Sequence, residues 1–259
     1  MAYPPESPGF ARPISGIAQA AALDQGLRAY MLRVYNWMSS GLVLTGLVAY
    51  AIANTSLIGL FYTQVMTESG HIRVQPTGLG MLSMFAPLAF VMVMSFGVNK
   101  LSRTAAQGLY WAFCVAMGAS LTNIFLMYTG TSIATTFFVT GATFASMSIW
   151  GYTTKGDLSK MGSFLMMGLF GMIIASIINI FVHSSAMQFM ISIIGVVVFT
   201  GLTAYDTQRI KVSYLNYAYA EGEEGAAKRS VYDALNLYLN FINLFMILLQ
   251  FTGSRNNNS

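Results

Sequence analysis

Seven apolar runs, each about 20 residues long, set the strongest limit on what this chain can fold into. They cover residues 31–53, 78–98, 106–128, 133–152, 163–182, 186–205 and 231–251. A helix of about 20 predominantly apolar residues crosses the hydrocarbon core of a bilayer, where only helices and closed barrels satisfy every backbone N–H and C=O group. The sequence therefore predicts an all-α polytopic membrane protein with seven transmembrane helices.

Composition agrees with a membrane location. Of the 259 residues, 55% are hydrophobic and only 8% are charged, whereas a soluble domain carries about 25% charged residues. The polar surface that would cover such a core in water is missing. The 24 Gly and 18 Met residues also fit, because small residues let helices approach in lipid and Met fills irregular gaps.

Polar segments divide the chain into a tail, a membrane domain and a short end. Residues 1–30 are predicted to be a flexible cytoplasmic tail with an amphipathic lead-in, and they lack the apolar stretch of a cleavable signal peptide. Residues 31–253 form the seven-helix domain, and residues 254–259 form a polar C-terminal tail. Inside the domain, we expect residues 55–77 and 207–230 to be polar connections.

The distribution of basic residues predicts the orientation. With the N-terminus inside, eleven of the 13 Lys and Arg residues fall in inner segments, and only Arg73 and Arg255 fall in outer ones. Cytoplasmic loops carry an excess of Lys and Arg. We therefore expect a cytoplasmic N-terminus and a C-terminus on the opposite side of the membrane.

Several function classes are disfavoured. The net charge of +4 comes from scattered basic residues, without the basic stripe that a nucleic-acid partner requires. No Ser, Cys or Thr lies in a recognisable motif with a His base, and there is no Gly-rich phosphate loop, so we expect neither an enzyme nor a cofactor. His71 and His183 lie in separate outer loops without a third ligand, so a zinc site is not expected either.

Asp206 is the first candidate functional residue. It ends the apolar part of VVVFTGLTAYDTQRIK, residues 196–211. An ionisable group in a membrane span is a functional-site hypothesis by default. An alternative fits equally well from the residues alone: Asp206 lies at the cytosolic interface, reaches water and pairs with Arg209 one turn further on.

The last apolar run carries a second candidate feature, a stripe of polar side chains. Its members are spaced by three, four, three and seven residues, which places them on one helix face: Asp233, Asn236, Asn240, Asn243 and Gln250. Unsatisfied amides are costly in hydrocarbon, so we expect this face to meet other helices or a water-filled path. Interhelical hydrogen bonding and an ion path both remain open explanations.

Four segments together resemble the Bax inhibitor-1 family, also called the transmembrane Bax inhibitor motif proteins, with its bacterial YccA- and YetJ-like branch. These segments are VYNWMSSGLVLTGLVAY, GYTTKGDLSKMG, GLTAYDTQRIK and LNLYLNFINLFMILLQFTG. The resemblance implies seven helices with the last one central in the bundle. It also implies a bacterial inner-membrane protein that acts as a pH-sensitive calcium leak channel.

The resemblance implies a gate made of two acidic residues. In such proteins an aspartate on the sixth helix and one on the seventh share a proton, and a basic residue near the end of the second helix latches onto the first. Asp206 matches the first position, but the second is Asn240 here. Lys100 and Arg103 are the two latch candidates.

Asparagine at position 240 changes what the pair can do. Two neighbouring carboxylates repel each other and share a proton, whereas an amide donates a hydrogen bond to an ionised carboxylate. We therefore expect a pH response that is weaker or lies at lower pH. Asp233 is an alternative second carboxylate, although it lies about 10 Å along the helix from Asn240, nearer the cytosolic surface.

The sequence and the resemblance together suggest two candidate functions. The first is a calcium-preferring cation leak in which Asp206, with the amides of Asn236, Asn240 and Asn243, offers weak and transient oxygen ligands. The second is a membrane-embedded regulator that binds and restrains a membrane-bound quality-control protease, as members of the YccA branch do. The cytosolic tail favours the regulator.

Overall fold

The computed structural model describes the backbone of residues 12–66, 72–98 and 100–256, and the side chains of residues 23–66, 74–98, 100–216 and 222–256. His71, the first eleven residues of the predicted tail and the last three residues of the chain lie outside the described residues. Within them the chain forms eight helices and one hairpin. The elements are α1 (Arg12–Asn54), α2 (Ile58–Phe61), β1 (Tyr62–Met66), β2 (Ile72–Pro76), α3 (Gly78–Gly97), α4 (Arg103–Ser120), α5 (Thr122–Met127), α6 (Gly130–Thr153), α7 (Ser159–Val182) and α8 (Ser185–Thr252).

Seven segments of these helices are long and apolar enough to cross a membrane, which confirms the predicted seven-helix architecture. They are Leu23–Asn54, Gly78–Gly97, Arg103–Met127, Gly130–Thr153, Ser159–Val182, Ser185–Asn216 and Gly222–Thr252. Large apolar side chains such as Phe96, Phe138 and Phe181 are exposed on the outside of the bundle. Lipid tails solvate such a surface as well as a protein core does.

Hydroxyl side chains begin four of these helices. The Oγ of Thr or Ser accepts a hydrogen bond from the backbone N–H three residues further on, which satisfies a donor that has no partner within the helix. The capping residues are Thr77, Ser102, Thr129 and Ser184. The boundaries of α3, α4, α6 and α8 therefore follow from local sequence.

The long helix α8 consists of two arms that meet at Gly222. This residue has φ 63° and ψ −175°, a backbone conformation that residues with a side chain rarely adopt. We call Ser185–Asn216 the first arm and Gly222–Thr252 the second arm. Side chains at similar distances from Gly222 along the two arms bond to each other, as Ser213 and Arg229 do at 2.6 Å. The arms therefore lie side by side as a helical hairpin.

The second arm occupies the centre of the bundle, as the family resemblance implies. In the most apolar part of the second arm 56% of the residues are buried, whereas in the corresponding part of α7 only 6% are. Its side chains join the main apolar core, where Tyr238 packs edge-on against Phe113 of α4 and bonds to Thr45 of α1 at 2.7 Å. Helices α1, α4, α6 and α7 pack around α8, while α3 packs mainly on α4.

Three predicted connections differ from the structure. Residues 55–77 are not an unstructured loop, because they contain α2 and the antiparallel β1–β2 hairpin. Residues 207–230 are largely helical, because both arms of α8 continue beyond their apolar residues up to Gly222, where the chain reverses. Residues 12–30, predicted to belong to a flexible tail, are part of α1, where Leu27 and Tyr30 are buried by the ends of neighbouring helices.

Close packing of α6 on the first arm depends on Gly151. A Cβ at this position would collide with the backbone of Ala204. Backbone atoms cannot be moved aside by rotating a side chain, so the two helices approach closely only when position 151 is glycine. This contact holds α6 against the part of the first arm that carries Asp206.

We expect Gly151→Ala to lower the free energy of unfolding by about 1–3 kcal/mol, because the added methyl group forces α6 away from Ala204. Gly141→Ala is the matched control, since a Cβ there meets open space on the same helix. Alanine is a better helix former than glycine by up to about 1 kcal/mol, so the control is expected to be neutral or stabilising. Thermal unfolding in one detergent compares the two variants, and equal midpoints would contradict this account.

Candidate functional site

The two arms of α8 are joined by a buried hydrogen bond between Asp206 and Asn240. The Nδ2 of Asn240 donates to Oδ2 of Asp206 at 2.7 Å, and both residues are buried. Asn240, the residue that the family resemblance places opposite Asp206, therefore lies within hydrogen-bond distance of it. The pair is an acid–amide pair, so it lacks the repulsion between two carboxylates.

Arg209 is the ionic partner of Asp206. Its Nη2 lies 3.0 Å from Oδ1 of Asp206, and 44% of its side chain is exposed. The guanidinium carbon lies 5.9 Å from the centre of the Tyr205 ring, within the range of a cation–π contact. Asp206 is thus bonded through one oxygen to the second arm and through the other to its own arm, and the pairing considered from sequence is confirmed.

A second carboxylate, Asp233, lies nearer the Gly222 end of the hairpin. It is half-buried and accepts a 2.6 Å hydrogen bond from Oη of Tyr30 on α1. The Tyr30 ring also packs against Tyr214 of the first arm, with ring centres 4.8 Å apart. Sequence reasoning did not find Tyr30, because a tyrosine more than two hundred residues before its partner leaves no local signal.

A polar cavity of about 470 Å³ opens at this end of the hairpin. Its wall includes Arg209, Asp233 and Asn236, so it reaches to within one helical turn of Asn240. Lys228 and Arg229 also contribute to its wall, and Val98 brings the end of α3 to it. Water and ions therefore have polar surface to follow toward the Asp206–Asn240 pair.

Apolar side chains pack on the other side of the pair. Leu202 and Phe199 of the first arm, Leu244 of the second arm and Leu165 of α7 form one buried cluster. Leu202 lies about one turn from Asp206, and Leu244 about one turn from Asn240. The pair thus marks the boundary between a polar cavity and a dry layer.

The polar stripe on the second arm does not face the interior along its whole length. Asn240 is buried and Asn236 is half-buried at the cavity, but Asn243 and Gln250 are exposed. The expectation that every member meets other helices or a water path is therefore wrong for Asn243. At about 100° per residue, the observed spacings turn the stripe by about 80° between Asn240 and Gln250, so its far end rotates out of the buried face. Gln250 still bonds to Gln188 of the first arm at 3.4 Å.

The two latch candidates are not at the site in this conformation. Lys100 and Arg103 are exposed at the ends of α3 and α4, and the structure brings neither to Asp206. Val98, which precedes Lys100 by two residues and Arg103 by five, lines the polar cavity. The latch role stays a prediction.

Gln208 joins two of the segments that carry the family resemblance. Its Oε1 accepts from the N–H of Leu158 at 2.8 Å, and its Nε2 donates to the carbonyl of Gly156 at 2.7 Å. The same turn is closed by Asp157, whose Oδ1 accepts from the N–H of Ser159 at 2.9 Å. Hydrogen bonds from Ser159 hold the pKa of Asp157 below its usual value. Sequence reasoning missed Gln208, although its place in AYDTQRIK was the available signal.

Hydroxyl groups support the first arm next to Asp206. The Oγ1 of Thr207 donates to the carbonyl of Thr203 at 2.8 Å and lies 3.4 Å from Oγ of Ser148 on α6. Among the described residues there is no group of three or more His, Cys, Asp or Glu that could hold a metal ion. A cation at Asp206 would therefore take its other ligands from amide, hydroxyl, backbone or water oxygens.

Comparison with known proteins identifies relatives over nearly the whole chain. A family model described as "Inhibitor of apoptosis-promoting Bax1" matches residues 27–257. An uncharacterised protein of Caulobacter vibrioides is 43% identical over 245 residues, covering 95% of this chain and 96% of that protein. The "Inner membrane protein YbhL" of Escherichia coli K12 is 42% identical over 231 residues, covering 89% of this chain and 93% of that protein.

We expect Asn240→Val to lower the free energy of unfolding by about 1–3 kcal/mol, because it leaves a buried carboxylate oxygen without its amide donor. Asn243→Val makes the same chemical change on the same arm at an exposed position, and we expect its effect to stay within about 0.5 kcal/mol. Thermal unfolding of both variants in the same detergent measures the difference. Equal losses would show that burial of the Asp206–Asn240 bond does not matter to stability.

Proposed function

This chain belongs to the Bax inhibitor-1 family of integral membrane proteins, and from that premise we propose that it is a pH-modulated cation leak channel that prefers calcium. The observation that supports this most directly is the buried Asp206 carboxylate, which is bonded to Asn240 across the two arms about one helical turn from the wall of a polar cavity. Intramembrane carboxylates commonly mark ion paths and proton relays.

The ligand chemistry suits a cation that passes and does not stay. Calcium prefers oxygen ligands from carboxylates, amides, carbonyls and water. Asp206 supplies one carboxylate, and the side-chain carbonyls of Asn236 and Asn240 lie along the same path. One acidic residue with neutral partners binds a divalent cation weakly, and weak binding is what conduction requires.

Opening must break the contacts that hold Asp206. In the described conformation Arg209 and Asn240 occupy its two oxygens, and Leu202 and Leu244 pack beyond it. Protonation of Asp206 removes the charge that attracts Arg209 and weakens the link between the arms. Separation of the arms would then let water and a cation pass the dry layer, so the carboxylate couples pH to the path.

The charge of the cavity fits a slow leak. Among the described residues, its wall carries three cations, Arg209, Lys228 and Arg229, against one carboxylate, Asp233. Positive charge at a mouth lowers the local concentration of cations and slows their access. Lys100 or Arg103 would add to this effect if movement of α3 brought either residue to Asp206 as a latch.

We also propose the location and orientation. The relative from Escherichia coli is named an inner membrane protein, which supports a bacterial inner-membrane location here. The excess of Lys and Arg in alternate connections supports a cytoplasmic N-terminus and a C-terminus on the opposite side. The polar cavity then opens to the cytosol.

Restraint of a membrane-bound protease is the second candidate function. Helix α1 begins at Arg12, whereas its apolar span begins at Leu23. A helical segment of the N-terminal region therefore precedes the membrane and offers a surface for a partner. This function needs neither Asp206 nor an ion path, so measurements of calcium flux in Asp206 variants distinguish it from the leak. Neither function is enzymatic.

We expect Asp206→Asn to abolish the pH-dependent part of calcium flux, because the amide keeps the shape of the side chain but cannot lose or gain the charge that binds Arg209. The measurement is a calcium-dye assay in proteoliposomes over a range of pH. Asp157→Asn is the control, since Asp157 is exposed in the turn before α7. Unchanged flux and pH dependence in Asp206→Asn would rule out the proposed gate.

Asn240→Asp is expected to strengthen the pH response and move its midpoint toward neutral pH, because two carboxylates at hydrogen-bond distance share a proton. Asn236→Asp adds the same charge one turn nearer the cavity and should shift the midpoint less. The same flux titration compares both variants with the natural chain. An identical midpoint before and after Asn240→Asp would contradict the acid–amide account.

A further inference from the structure

An apolar groove lies between α1 and α6, separate from the polar cavity. We call it the lateral groove. Its volume is about 760 Å³, within the range of about 300–1,000 Å³ typical of small-molecule sites. Leu32 and Val43 of α1 line one wall, Gly141 and Ile149 of α6 line the other, and Phe241 of the second arm forms the floor.

The groove is longer than the hydrocarbon depth of one leaflet. Its lining runs from Arg28 to Val43 on α1 and from Phe137 to Tyr152 on α6, about 22 Å on each helix at 1.5 Å per residue. Half of the hydrocarbon core is about 15 Å thick. An extended acyl chain entering from one membrane surface therefore stays in the groove over the full depth of its leaflet.

The open side of the groove faces lipid. Both walls belong to membrane-spanning segments, and Leu32, Val43 and Ile149 are each at least 60% exposed. The lining is almost wholly apolar carbon, so water has few partners in it. In a bilayer the molecules that reach this opening are phospholipids, and their tails match its lining.

Positive charge lies at one end of the groove. Arg28 lines that end and forms an ion pair with Asp24 at 3.4 Å, in which both side chains are exposed. Such an exposed pair contributes little free energy, so the guanidinium can also bind another anion. At the same end the carbonyl of Tyr152, which lines the α6 wall, accepts a hydrogen bond from Nζ of Lys211 on the first arm at 2.8 Å. A phosphate at this end of the groove would sit at the depth of a head group, next to Arg28.

We propose that the lateral groove binds an anionic phospholipid, with one acyl chain between α1 and α6 and its phosphate at Arg28 and Lys211. The two basic side chains favour an anionic head group, whereas the apolar groove alone would accept the acyl chain of any lipid. The binding site does not depend on the proposed channel function. It does touch the gate region, because Phe241 follows Asn240, and Ser148 of the wall contacts Thr207.

The test uses the full chain in nanodiscs of phosphatidylcholine that contain a small fraction of phosphatidylglycerol with a photoactivatable diazirine in its acyl chain. Cross-linked peptides are located by mass spectrometry. We expect cross-links to concentrate on the facing sides of α1 and α6. Even labelling of all lipid-facing helices, including α3 and α7, would overturn the proposal in favour of bulk lipid contact.

Filling the groove should remove the label. Gly141→Phe projects a ring into open space in the groove, and Gly171→Phe does the same on the exposed face of α7. We expect about a tenfold loss of α1–α6 cross-links in Gly141→Phe, equivalent to about 1.4 kcal/mol of binding, and none in Gly171→Phe. If Gly141→Phe fails to fold, Ile149→Trp fills the groove from an exposed position. Unchanged labelling in a folded groove variant would overturn the proposal.

Head-group recognition is tested separately. Arg28→Gln should lower the preference for phosphatidylglycerol over phosphatidylcholine by about fivefold, the attraction of one basic residue to an anionic surface. Arg33→Gln is the control, because Arg33 faces a different cavity on α1. Equal preference in both variants would contradict recognition of the phosphate. Cross-links between two copies of the chain through α1 would instead assign the groove to a dimer interface and overturn the lipid assignment.

Discussion

The hydrogen bond between Asp206 and Asn240 is the interaction on which the rest of the architecture depends. A charged side chain inside a membrane bundle is tolerated only when its oxygens are bonded. Asn240 and Arg209 supply those bonds. The first of them exists only because Gly222 reverses the chain and lays the second arm beside the first. The central helix, the hairpin and the candidate gate are therefore one structural unit.

This unit has more contacts with α6 and α7 than with α3. Helices α6 and α7 are fastened to the first arm by the Gly151–Ala204 approach and by Gln208, which binds the turn between them. Helix α3 packs on α4, α2 and β2, while Val98 at its end borders the polar cavity. Movement of α3 therefore breaks fewer contacts with the two arms of α8 than movement of α6 or α7 does. The two latch candidates, Lys100 and Arg103, follow the end of α3 in the chain.

The pair at the centre is approached by two different environments. The polar cavity opens from one end of the hairpin and has Asn236, one turn from Asn240, on its wall, while the lateral groove reaches Phe241, the residue after Asn240. A protein in lipid gains little from burying apolar surface between its own helices, since lipid tails solvate that surface equally well. An open groove between α1 and α6 is thus stable in a bilayer, where in water it would collapse.

The sequence by itself determined the seven spans, the all-α class and the family, because helix formation in lipid depends on the length of apolar runs and on backbone hydrogen bonds within one segment. It also singled out Asp206 and Asn240, through motifs that are local. Only the tertiary structure decided which partners these residues have, since the contacts of Asp206, Tyr30 and Gln208 cross between segments far apart in the chain. It likewise showed that Asn243 leaves the buried face, that residues 207–230 are helical, and that Arg209 holds the carboxylate where a latch from α3 was expected. These facts depend on how helices rotate and pack against each other, which the spacing of residues along one helix does not specify.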